Sequence, residues 1–467
     1  MVDGIFWRIE PEPPPPPFPP PETILIPAGY HLGNVLLHAA CVLAAFVLGR
    51  RLLGDPHAAL LGALLFAVHP VHAENVAYIK GRTDLLAAFF LFLAWARLCR
   101  PARRFDVLTP LLFLAALLSR EGSVIFFPVA FLTRWWHAGD GFREAFRRTL
   151  PLGALAVLFL AFYASLGPPA AYREGSFTPE GGWPALLLGL ECLGTYIRLL
   201  CWPFSLTADY IGLETAPRDL VSVGLGVLAL AVLCLIFVRL RRFLAPGRAM
   251  GRFVFAFACL ALTLLPVSNL IPIKALLAER YLYFGSLPVL LWIGAWLAKR
   301  APRASACALV LVLAVLSAAR TLEWRAEKPL WGSCVRSLPW AWRAGLNLCN
   351  AHAEDSSLPA TVRTRRALAA ADLGLRANPA ASELWHEKGY VLLLAGRPGD
   401  ALPPLRKAHS LAPRDPQTRF LLIRSLALLA SVQPAEARKA LRDLLQADPS
   451  MQNEAVRDPV LREILLR

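Results

Sequence analysis

The sequence is poor in acid. Asp and Glu number 33 against 49 Lys and Arg, which leaves a formal net charge of +16. In a soluble chain such an imbalance points to nucleic acid. Yet charged residues make up only 18% of the chain and hydrophobic ones 56%, with a mean hydropathy of +0.49. That is too apolar for a soluble protein of this length. Most of the arginine lies in short loops between apolar runs, where it reports membrane topology, so nucleic acid is not an expected partner. The chain also lacks CxxC and HExxH spacings, and with them any local metal motif. Seven of its nine cysteines lie in or beside apolar runs, where cysteine acts as a small hydrophobe. Cys334 and Cys349 lie beyond the last run and could pair only in an oxidising compartment. No apolar segment precedes the polyproline stretch Glu12–Glu22, so no cleavable signal peptide is visible, and that stretch cannot pack a core. The halves of the chain show no internal repetition, which leaves a transporter reading without support.

What is present is a series of apolar runs, many close to the roughly 20 residues that cross a bilayer as helix. The expected spans are His31–Leu48, Ala58–Val68, Asp84–Leu98, Val107–Leu118, Ser123–Trp135, Leu150–Leu166, Leu220–Leu240, Phe253–Leu265, Tyr281–Leu297 and Ala304–Ala319. Trp183–Pro203 carries Glu191 and Arg198 and is either a further span or a helix in the interface. Basic residues crowd alternate loops: Arg50 and Arg51, then Arg97–Arg104, Arg134–Arg148, Arg239–Arg252 and Lys299–Arg303. These loops read as cytoplasmic. The polar clusters then share the opposite, outer face: His69–Asp84, Ser119-Arg120-Glu121, Thr207-Ala208-Asp209-Tyr210 and Lys274–Arg280. Ionisable groups at such depth are costly and mark a site.

After Ala319 the long apolar runs stop. Asn378-Pro379, Ala412-Pro413 and Asp448-Pro449 recur at spacings of 34 and 36 residues, the tetratricopeptide period. Between the first two, Trp385, Gly389, Leu392, Ala401, Leu405 and Ala408 fit one helix pair, with small residues where the helices approach. The reading is an all-α chain: a proline-rich non-globular N-terminus over 1–28, a multi-span transmembrane helical bundle over 29–320, and a tetratricopeptide α-solenoid of about three repeats over 321–467.

Several motifs now stand in order. They are Gly29-Tyr30-His31-Leu32-Gly33-Asn34-Val35-Leu36-Leu37-His38, Phe66–Asp84, Ser119-Arg120-Glu121, Leu206-Thr207-Ala208-Asp209-Tyr210, Ala278-Glu279-Arg280-Tyr281-Leu282-Tyr283 and Trp324–Leu330. Together with the repeats, they resemble the transmembrane-and-tetratricopeptide (TMTC) O-mannosyltransferases and their bacterial relatives, from about Pro27 to the end. The resemblance implies a GT-C fold with its site at the outer membrane face. It implies inverting transfer of a mannose-like sugar from a polyprenyl-phosphate donor to a protein hydroxyl. No cofactor is evident, and a divalent metal is left open. The composition, rich in alanine, arginine and proline, favours a bacterial inner membrane over the endoplasmic reticulum, with the repeats on the extracytoplasmic side. At one point the sequence departs from the pattern. GT-C enzymes carry an acidic residue in the first outer loop, and here Met1–Ile26 has no span and no Asp-Asp pair; Asp3, Glu10, Glu12 and Glu22 do not match. Either the chain starts late or the base is lost. The alternative function is therefore a non-catalytic tetratricopeptide scaffold anchored in the membrane.

Lipid-phosphate transfer needs a base and cations for the departing phosphate. Arg280 is the expected phosphate ligand, since guanidinium offers planar paired donors. Lys274 and Arg82 support it. The competing role is a structural Glu279–Arg280 ion pair. Glu74 is the candidate catalytic carboxylate, set against a helix-capping role after Pro70. His69 and His72 line the site by hydrogen bonding rather than by binding a metal. Asp84 pairs with Arg82 or favours a helix N-terminus. Arg120, Glu121, Asp209 and Tyr210 line the site or tie its loops. The array near Trp385 and Tyr390 is expected to hold acceptor proteins.

Overall fold

The apolar runs become helices because a bilayer leaves no other partner for a backbone amide. The computed structural model describes residues 27–100, 106–166, 183–210, 218–238, 249–269 and 276–466. The proline-rich N-terminus with its four carboxylates, and Lys274, lie outside these. Among the described residues every regular element is helical, so the all-α reading holds. The chain divides into two units. One is Met1–Leu206 with Arg218–Trp324, and the other is Thr207–Pro217 with Arg325–Arg467.

The first unit contains α1 (Pro27–Leu53), α2 (Pro56–Val68), α3 (Ala73–Ala77), α4 (Arg82–Leu98), α5 (Leu108–Ser119), α6 (Phe126–Leu132), α7 (Phe142–Ser165), α8 (Trp183–Cys201), α9 (Leu220–Val238), α10 (Ala249–Leu264), α11 (Leu282–Arg300) and α12 (Arg303–Glu323). Among the described residues five stretches are long and apolar enough to cross a membrane: Ala28–Leu53, Phe142–Ser165, Trp183–Cys201, Glu279–Arg300 and Arg303–Glu323. Pro56–Val68 with Pro70–Ala77, bent by 53°, makes a sixth if counted as one span. The expected span Ser123–Trp135 is instead built in three pieces. A 3-10 turn over Glu121–Ile125 leads into α6, and a π turn follows over Thr133–His137. Pro128 has no N–H to return to Val124, so one α ladder cannot run through. The Thr133 hydroxyl bonds back to the Val129 carbonyl at 2.8 Å and receives the Trp95 indole N–H at 2.9 Å.

Trp183–Cys201 is a continuous helix, and it packs antiparallel on α9. Arg198 meets Asp219 at 2.7 Å, and Gly226 lies against the Leu190 backbone. The Glu191 carboxylate, wholly buried, accepts from the Asp219 amide at 2.9 Å and pairs with Arg218 at 3.2 Å. It thus serves the start of α9, whose first amides have no partner within the helix.

The second unit stacks α13 (Glu327–Ser337), α14 (Trp342–Ala353), α15 (Ala360–Ala377), α16 (Ser382–Leu394), α17 (Pro398–Leu411), α18 (Pro416–Val432), α19 (Pro434–Ala447), α20 (Gln452–Arg457) and α21 (Pro459–Leu466). The recurring prolines end helices. Asn378, Ala412 and Asp448 close α15, α17 and α19 with extended-side ψ values of 93°, 75° and 90°. A following proline excludes the helical region for just these residues. Asp415 then opens α18 by accepting from the Gln417 and Thr418 amides, as an N-cap does. At Gly389 a Cβ would come within 2.5 Å of the Leu405 side chain, so the close approach expected there is real. Ala401, Leu405 and Ala408 are fully buried. Cys334 and Cys349 are both free, buried thiols in separate clusters. The Cys334 sulfur accepts from the Ala208 amide at 3.3 Å, so no disulfide joins them.

Candidate functional site

The motif after α2 folds as a tight polar knot. His69 ends α2, a 3-10 turn covers Pro70–His72, and a second covers Ile79–Gly81 before α4. Gly81 must be glycine, since a Cβ there would fall 2.1 Å from the Asn75 carbonyl oxygen. From α1, Asn34 donates to the Val76 and Tyr78 carbonyls at 3.1 and 3.0 Å. His38 reaches the Tyr283 hydroxyl at 2.6 Å and the Ala67 carbonyl at 3.0 Å. These bonds clamp the knot between α1 and α11.

Both knot histidines are buried in this packing. The His69 Nδ1 accepts from the Val71 amide at 3.3 Å, so its Nε2–H donates to the Leu200 carbonyl at 3.0 Å. His72 bonds the Phe66 carbonyl at 2.8 Å and the Ser286 hydroxyl at 3.0 Å. Neither ring lines the main cavity described below. Their hydrogen bonds shape the wall from behind.

The carboxylates pair differently from the sequence expectation. Glu74, 3% exposed, uses both oxygens on Arg280: one accepts from its backbone amide at 2.9 Å, the other from its guanidinium at 2.5 Å. Both oxygens of the candidate base are thus engaged, and Glu74 orients Arg280. Glu279 turns away from its neighbour and meets Arg320 of α12 at 3.4 Å, while Arg320 also pairs with Glu323. The Glu279–Arg280 pair considered from sequence is therefore not formed. Asp84 pairs with Arg120 at 2.8 Å rather than with Arg82. Arg82 lies over the Tyr30 ring at 4.5 Å and lines a separate cavity of about 360 Å³ with Asn34 and Leu37. Asp209 and Tyr210 belong to the second unit, where Arg343 donates to both Asp209 oxygens at 2.6 and 3.1 Å.

What the first unit does bring together is Asp84, Arg120, Glu121, Arg280 and Tyr281, around a cavity of about 480 Å³ floored by Leu91, Thr263 and Phe284. The ends of α4, α5 and α10 and the start of α11 meet there. Tyr281 stands between the two guanidiniums, 5.8 Å from Arg120 and 5.2 Å from Arg280, as cation–π contacts hold them. Each arginine thus has one carboxylate behind it and one aromatic face beside it. Both line the same hollow, where remaining donors can face an anion. Sequence reasoning missed Asn34, His38, Tyr281 and Arg320 as the parts that set this arrangement. Asn34, His38 and Tyr281 all sit inside the motifs already singled out, and a lone arginine in the last turn of an apolar helix is itself a signal of a buried acid.

The described structure is that of an all-α integral membrane protein with a charged hollow at one end of its helices. No family model matches the chain. Its curated homologues are TMTC-family protein O-mannosyl-transferases. It is similar to protein O-mannosyl-transferase TMTC4 of Mus musculus at 26% identity, over 73% of this chain and 54% of that protein. Protein O-mannosyl-transferase F38B6.6 of Caenorhabditis elegans is 27% identical over 68% of this chain and 47% of its own length. A shorter alignment with TMTC4 of Homo sapiens reaches 46% identity over 90 residues, 16% of this chain and 12% of that protein. The chain spans about half the length of TMTC4 of Mus musculus and of F38B6.6.

Proposed function

We propose that this chain is a membrane glycosyltransferase of GT-C type. It would move a mannose-like sugar from a polyprenyl-phosphate donor to a protein hydroxyl at the extracytoplasmic face of a bacterial inner membrane. The observation that carries this reading is the pair of guanidiniums, Arg120 and Arg280, flanking Tyr281 on one cavity. A departing lipid phosphate gains negative charge as its bond to the sugar breaks, and fixed cations there lower the barrier. Arg280 is held for this by Glu74 from behind, so its direction is set before the donor arrives. The apolar floor of the cavity suits the first isoprene units. The names of the curated homologues support the same chemistry. The helical array is read as tetratricopeptide repeats that present acceptor proteins, with Tyr390 exposed on its surface and Trp385 anchored by its indole N–H to the Pro379 carbonyl at 2.9 Å.

The test is transfer of labelled mannose from dolichyl-phosphate mannose to a serine-containing peptide by the full chain in proteoliposomes. Arg280→Lys keeps the charge that Glu74 needs but loses the planar fork. Transfer is expected to fall about 100-fold, the scale of one lost transition-state donor, with the protein still folded. Undiminished transfer by this variant would remove Arg280 from the phosphate site. Absence of both transfer and donor binding in the unaltered chain would favour the non-catalytic scaffold.

A further inference from the structure

We infer that Glu121 takes the proton from the acceptor hydroxyl; this rests on the transferase reading above. Among the described residues two carboxylates line the cavity, Asp84 and Glu121. They differ in what they are free to do. One Asp84 oxygen is held by Arg120 at 2.8 Å, and the other is sealed from solvent with no partner. No hydroxyl can reach that second oxygen without the wall opening. Glu74 lies behind Arg280 with both oxygens engaged. Glu121 is exposed at the cavity and has no hydrogen bond or ion pair. It begins the 3-10 turn that follows the extended residue Arg120. It therefore stands next in sequence to a proposed phosphate ligand, and within electrostatic reach of Asp84. A base must be accessible, ionised and beside the reacting atoms. Among the described carboxylates at this cavity only Glu121 combines access with unengaged oxygens.

The step balances without a further reagent. The acceptor O–H bond breaks and its proton passes to a Glu121 oxygen. The hydroxyl oxygen forms the new bond to the anomeric carbon from the face opposite the phosphate. The bond from that carbon to the phosphate oxygen breaks, and its electron pair stays on the phosphate beside Arg120 and Arg280. Polyprenyl phosphate leaves, the anomeric configuration is inverted, and Glu121 returns its proton to water.

The experiment uses the full chain in proteoliposomes with dolichyl-phosphate mannose as donor and a serine peptide as acceptor. Glu121→Gln is expected to lower kcat at least about 100-fold, the usual range for a positioned base. Donor affinity and melting temperature are expected to stay as they are, and the acid limb of the pH profile of kcat is expected to vanish. Glu121→Asp is expected to recover part of the rate and the limb. A Glu121→Gln protein with kcat within twofold of the unaltered chain, or with the acid limb retained, overturns the inference and leaves the transferase reading standing. If the unaltered chain neither binds the donor nor transfers the sugar, the transferase reading itself falls, and this role with it. A loss of donor binding in Glu121→Gln would make Glu121 a donor ligand instead and also overturns it.

Discussion

The two units bury their paired acids to different depths. In the first, three acids are sunk into the packing and each meets an arginine far away in sequence: Glu74 with Arg280, Glu279 with Arg320, Glu191 with Arg218. In the second, several paired acids stay open to solvent, Asp372 and Glu454 among them. Arg397 and Asp400, both more than half exposed, are an example. The difference follows from the surroundings. A charge withdrawn from water costs several kcal/mol unless its partner is present, whereas an exposed pair gains little over hydration. The buried pairs of the first unit therefore help to decide where its helices meet, whereas an exposed pair such as Arg397–Asp400 adds little to helices placed by apolar contact.

The sharpest way to break this contrast is Arg320→Ala. Glu279 is wholly buried and Arg320 is 5% exposed. Truncating Arg320 removes the guanidinium from a buried carboxylate, and a loss of about 3–5 kcal/mol is expected. It should appear as a large drop in the melting temperature of the detergent-solubilised protein. A change as small as that of a surface variant would refute the weight given to this pair.

A second test concerns a carboxylate of the array on which burial acts. Burial, and then the nearby charge of Glu354, push Glu387 up to about 7 from its ordinary 4.5. A folded value above the unfolded one means the protonated form is favoured by folding. Its full stabilisation is present below pH 4.5 and is lost as pH rises toward 7. The cost above pH 7 is about 2–3 kcal/mol after allowing for partial exposure. Glu387→Gln should therefore raise stability at pH 8 by about that amount and leave it unchanged near pH 4. Urea unfolding at the two pH values checks this, and equal effects at both would refute the assignment.

The smallest effect is expected at the surface. Arg397→Ala removes an exposed pair and should cost under about 1 kcal/mol, within reach of thermal unfolding with and without 1 M salt. A larger, salt-insensitive loss would mean that Arg397 matters through the cavity it lines with Asp372 and Leu368 rather than through its charge.

Much of this was legible from residue order. Apolar length foretold most of the helices, though not the break within Ser123–Trp135, and the proline period foretold the ends of α15, α17 and α19, because both signals are local to the chain. The helix pair around Gly389 and Ala401 was legible for the same reason. The candidate site was legible only as a set of stretches. His69–Asp84, Ser119–Glu121 and Glu279–Arg280 were marked, and in the structure they meet. Which acid faces which base was not readable. Nearness in sequence suggested Glu279 with Arg280 and Asp84 with Arg82, and the structure pairs none of these.

The sequence by itself thus determined the helical class, the candidate membrane runs, the change of character after Ala319, and the stretches that carry charge. Periodicity and local chain stiffness suffice for all of these. Only the tertiary structure decided that Glu74 is committed to Arg280, that Tyr281 stands between two guanidiniums, and that Glu121 is left open at the cavity. A buried charge takes whichever partner the packing brings within about 3 Å, and packing is settled by helices far apart in the chain.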